Sequence, residues 1–156
     1  MCNAGPGFYL ISNLVCAKEL KMIDMMQFAE NENPTRQEMV NANWRAESYH
    51  TLLWALSIID DLKFPTEICN IGEDVGHLFS KTEQQFREVA ELRSKEEILD
   101  QADLILRLNW ACVNARVKHE PAPAGLNTSV IYERHYALNW LIHHQNQDWD
   151  QITTNT

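Results

Sequence analysis

Glu133, Arg134 and His135 stand side by side in "YERHYALNWL", a stretch whose apolar residues recur at helical spacing. A carboxylate, a guanidinium and an imidazole so placed could grip an anion and move a proton beside it. At about 100° per residue, Arg134 falls between Leu138 and Leu141, His135 between Asn139 and Ile142, and Glu133 beside Ala137 and Trp140. The conflict between charge and greasy face recurs in "WRAESYHTLLWALSII". There Arg45 lines up with Leu52 and Leu56, and Glu47 lies beside Trp54 and Ile58. In a third helical pattern Asp103 precedes Arg107 by four residues, the favourable order for a helical ion pair, on a face shared with Trp110 and Asn114. Asn109 sits at the centre of that helix's apolar stripe.

A lone buried charge is costly, so charges on inward faces must meet partners. The expectation is mutual pairing of Arg45, Arg107 and Arg134 with Glu47, Asp103 and Glu133, with Trp44, Trp54, Trp110 and Trp140 packed around them. Such a cluster has two readings. One is a polar network that sets helix register. The other is a ligand site in which Arg45, Glu47, Asp103, Arg107, Glu133, Arg134, His135 and Asn139 line a cleft.

Six histidines raise the question of metal chemistry. Glu47 and His50 have the i, i+3 spacing of di-iron bundles, but that architecture requires a second such pair on another helix. Glu133 and His135 are two apart and splay to different faces, and the adjacent His143 and His144 diverge. No metal and no cofactor is therefore expected. There is no glycine-rich phosphate loop, no nucleophile-elbow serine and no His-Glu-x-x-His. Cys2, Cys16, Cys69 and Cys112 are scattered without the spacing of a zinc or redox motif, which suits reduced thiols in a cytoplasm.

The formal net charge of −9 repels phosphate backbones and anionic bilayers, so neither nucleic acid nor membrane is an expected partner; the charge reads first as solubility alone, and in the sharper alternative as a match for a basic protein partner. The apolar run starting at Phe8 is too short to span a bilayer and has no basic residue before it, so no signal peptide is expected.

These residues need helices to hold them. Thr35 with Glu38, Ser80 with Glu83, and Ser94 with Glu97 each match a capping box at a helix start. Helical patterns cover about Phe8–Ala29, Pro34 to about Ile59 with an interruption near Asn41–Asn43, a short piece after Ser80, Lys95–Lys118 and Ser129–His144. Asp60–Gly76 reads as loop with one helical turn, and "EPAPAG" ends the longest helix. In that helix Ile98, Ala102, Ile105, Cys112 and Val113 keep helical spacing, and Leu99, Leu106 and Val117 widen the inward stripe. No stretch alternates with period two. The fold class is all-α: a single-domain irregular bundle of five or six helices over residues 1–156, with 1–33 an N-terminal helical segment. The central trio is Trp44–Ile59, Lys95–Lys118 and Ser129–His144, and the tail "WDQITTNT" docks on it through Trp149.

Three quoted stretches carry a resemblance: "WRAESYHTLLWALSIIDDLKFPTEICNI", "LRSKEEILDQADLILRLNWACVNAR" and "YERHYALNWLIHHQNQDWDQITTNT". Together, from about Trp44 to Thr156, they resemble the bacterial family called domain of unknown function 4272, as a short form lacking part of the N-terminal region. The resemblance implies an intracellular, mainly helical protein and brings no established activity. The motif residues it marks are Trp44, Arg45, Glu47, Trp54, Asp103, Arg107, Trp110, Glu133, Arg134, His135, Asn139, Trp140 and Trp149. Three positions depart from the family pattern: Ser57 stands for a usual Gly, Asn109 for a usual His and Asn155 for a usual Asp. The functional expectation is an acidic cytoplasmic protein-binding module without catalytic activity. The alternatives are a small-molecule binder or enzyme built on the Arg/Glu/His cluster, and a metal-binding helical protein.

Overall fold

The computed structural model describes Asn33 and residues 35–155. The helix expected over Phe8–Ala29 lies outside the described residues. Those residues form five α-helices and no strand: α1 (Arg36–Ala55), α2 (Ile71–Phe79), α3 (Glu83–Val89), α4 (Lys95–Val117) and α5 (Thr128–Leu141).

α1 begins directly after Thr35 and runs through Asn41–Asn43 without a break. It also stops earlier than Ile59, for a local reason. Ser57 adopts a left-handed conformation, with φ of 55°. Its amide donates to the Trp54 carbonyl, and the Ile58 amide donates to the Leu53 carbonyl at 3.0 Å. This is the Schellman closure, which satisfies the last carbonyls of a helix and favours glycine at the left-handed position. Arg93 completes the end of α1. It donates to the carbonyls of Trp54, Ile59 and Asp60, and its guanidinium stacks 4.9 Å from the Trp54 ring centroid. A cation beside helical C-terminal carbonyls is favourable.

α2 starts earlier than the loop reading of Asp60–Gly76 allows. Asn70 caps it by accepting from the Gly72 amide, and Glu73 and Asp74 occupy the first turn, where acids complement the helix dipole. The box expected at Ser80 and Glu83 is displaced by two residues. Thr82 and Gln85 form it, whereas Ser80 ends α2 by donating its amide to Gly76. The box at Ser94 and Glu97 is formed as expected and opens α4. α5 is capped by Asn127, which accepts from the amides of Ser129 and Val130.

The expected trio is the framework: α5 packs against both α1 and α4. Every residue from Glu133 to Asn139 is buried. A helix enclosed on all sides has no outward face for its polar residues, which explains how charge comes to lie inside. The tail docks as expected. Trp149 and Ile152 are buried, and Trp149 meets the rings of Tyr136 and Trp140 edge-on at 5.2 and 5.3 Å. The Tyr136 hydroxyl donates to the Trp149 carbonyl, and Asn139 Nδ2 donates to the Thr153 carbonyl at 2.9 Å.

Candidate functional site

Two of the expected charges meet across helices deep in the structure. Arg134 Nε on α5 donates to Glu47 Oε2 on α1 at 3.1 Å, and each side chain is only 3% exposed. Arg134 Nη1 also donates to the Lys63 carbonyl at 2.6 Å. The other Glu47 oxygen, Oε1, accepts from the Cys69 amide. One ion pair thus fastens the connection between α1 and α2 at two points. Glu133 sits alongside. Its Oε2 lies 2.7 Å from Ser48 Oγ, which also approaches the Glu133 carbonyl at 3.0 Å. Burial raises the Glu133 carboxyl above its ordinary range, a tendency that Ser48 and the charge of Arg45 oppose and Glu47 reinforces. Arg45 stacks its guanidinium 4.8 Å from the Tyr136 ring centroid. Burial works against its charged form, but interaction with Tyr136 and the charge of Glu133 hold its pKa above the usual value.

The cluster is smaller than the sequence implies. Asp103 and Arg107 do not join it. They pair with one another on the outside of α4 at 2.7 Å, with Arg107 75% exposed. Trp110 is likewise turned outward, so it does not pack around the charges. The helical period relates these positions to one another but does not say which side of α4 is inside. Asn109 and Asn139 are buried and serve the tail; Asn109 Nδ2 donates to the Thr154 carbonyl at 3.4 Å. His135 is buried, and among the described residues its Nδ1 has no hydrogen-bond partner. Burial first, and then the charge of His144, lower its pKa to about 4. It is therefore a neutral ring at physiological pH.

Three participants were not legible in advance. Besides Arg93, these are Asp74 and Cys69. Asp74 is buried and holds His50 Nδ1 between its two oxygens at 3.0 and 2.9 Å. The Cys69 thiol lies beside them; burial, then the charges of Glu47 and Asp74, raise its pKa far above the ordinary thiol value. The one available signal was Asn70 with Glu73 and Asp74, which marks a helix start and would have placed Asp74 on α2.

An open groove of about 250 Å³ lies elsewhere, between α4 and the start of α5, lined by Asn109, Cys112, Val113, Arg116, Ser129 and Tyr132 among others. None of Glu47, Glu133, Arg134 or His135 lines it.

The family model described as "domain of unknown function (DUF4272)" matches residues 11–152. The chain belongs to the DUF4272 family. The match to DUF4272 starts at residue 11 and so takes in residues upstream of Trp44 as well as all three helices of the trio. No curated protein and no solved structure matches the chain. Among the described residues, no helix of this DUF4272 member is long and apolar enough to cross a membrane.

Proposed function

We propose that the chain is a non-catalytic module that binds a protein partner along the outer face of α4. The observation that supports this is a second apolar stripe on that helix. Ile98, Ala102, Ile105 and Cys112 face the core. Leu99, Leu106, Trp110 and Val117 face outward, with Trp110 60% and Val117 70% exposed. Their positions, with Val113 between them, repeat every seven residues as two interleaved sets and span an arc of about 60°. A contiguous exposed apolar strip of this kind marks an interaction surface. Seven-residue spacing suits an amphipathic helix laid alongside. The net charge of −9 favours a partner helix whose flanks carry lysine and arginine.

Catalysis at the Glu47–Arg134 pair is disfavoured on separate grounds. Both Glu47 oxygens and two Arg134 nitrogens are already engaged by protein groups.

The test is a photo-cross-linking residue placed at Trp110 in the full chain and activated in the host cell. One heterologous adduct is expected, which Leu106→Glu abolishes while the melting temperature stays unchanged. An adduct only within the chain, only between copies of it, or none at all overturns the reading.

A further inference from the structure

We propose that His50, Cys69 and Asp74 form a binding site for one divalent ion of the zinc type. A ring nitrogen of His50, Sγ of Cys69 and a carboxylate oxygen of Asp74 all lie within 4.8 Å of one another. The three come from separate places in the chain: α1, the residue before the α2 cap, and the first turn of α2. They converge because Glu47 and Arg134 pin the connection that carries Cys69. The Glu47–His50 spacing hinted at metal, and the expectation of none rested on the lack of a second helical Glu/His pair. The second half is supplied by Cys69 and Asp74 instead.

The donor set decides the class of ion. A thiolate is a poor ligand for magnesium or calcium, which take oxygen, whereas mixed sulfur, nitrogen and oxygen suit zinc and its neighbours. With metal–sulfur near 2.3 Å and metal–nitrogen near 2.0 Å, tetrahedral donors stand about 3.5 Å apart. Closing from the present spacing takes roughly 1 Å of side-chain movement. His50 and Asp74 already meet at 2.9 Å, so an ion entering here displaces the proton between them, which moves to Nε2 of the same ring or leaves to solvent. The Cys69 thiol gives up its proton to solvent on binding. Three protein ligands leave a fourth position for water or a small donor.

The surroundings support the site. Asp74 is 5% exposed, and the Glu47 carboxylate lies against the Cys69 backbone. Glu47 stays outside the ligand set: its Oε1 holds the Cys69 amide and so orients the thiol, the task that supporting hydrogen bonds perform around bound metals. This site shares no residue with the outer stripe of α4, so the two proposals stand or fall separately.

The full chain, stripped of metal, is titrated with cobalt(II). One equivalent is expected to bind with a thiolate-to-cobalt charge-transfer absorption that equimolar zinc removes. Cys69→Ser should abolish that absorption and Cys112→Ser should leave it intact. Asp74→Asn should weaken binding by more than the roughly 10–100-fold typical of losing a supporting contact. X-ray absorption of the unaltered, zinc-loaded chain gives a reading independent of any variant's folding: one sulfur donor among nitrogen and oxygen is expected. Cobalt binding without the thiolate signal, a signal that survives Cys69→Ser, a zinc environment without sulfur, or no binding at all overturns the proposal.

Discussion

Arg134 and Glu47 stand 87 positions apart in the chain, yet their side chains meet at 3.1 Å inside the core. Removing one partner of such a pair strands the other charge away from water. Arg134→Ala is therefore expected to cost about 3–5 kcal/mol, read as a lowered midpoint in chemical denaturation. Replacing both partners by leucine or methionine should recover most of the loss. Arg107→Ala is the contrast: its pair with Asp103 is solvated on α4, and no measurable shift is expected.

His135 sets a pH dependence of the opposite sense to a salt-bridged histidine and of the same sense as a salt-bridged carboxylate. Its folded pKa of about 4 lies below the ordinary histidine value near 6.5. Between those values the unfolded chain binds the extra proton and the folded chain does not. Stability is unaffected above about pH 6.5 and falls as pH drops toward about 4, by about 3 kcal/mol in total. Thermal melts across that window should show the decline, and His135→Leu should flatten it. An equal slope in both proteins removes His135 as the source.

Ser57 carries a side chain in a backbone region that favours glycine. Ser57→Gly is expected to raise stability by about 0.5–1 kcal/mol, seen as a higher melting temperature, while Ser57→Val should lower it. No change in either variant would mean that the left-handed closure of α1 carries no strain.

The sequence foretold most where its signals are local. Ser94 with Glu97 opens α4 as written, and Trp149 anchors the tail as its place beside the apolar trio suggested. It misled where orientation had to be assigned. α4 has two apolar stripes, and periodicity alone cannot say that Ile105 faces in while Leu106 faces out. That ambiguity placed Asp103, Arg107 and Trp110 around the buried charges. Juxtapositions across the chain were beyond reach altogether. Nothing near Cys69 signals His50, and nothing near Arg93 signals the α1 carbonyls it holds, because both are products of how helices pack.

The residues between Lys63 and Cys69 lie outside any helix, yet each end of that stretch gives a backbone group to the Arg134–Glu47 pair. To swing free, the stretch must give up both of these hydrogen bonds and leave Nη1 of Arg134 and Oε1 of Glu47 without them inside the core. Its opening is therefore not a cheap local fluctuation. Both ends of the segment are tied to the helices it crosses, which raises the cost of opening it locally.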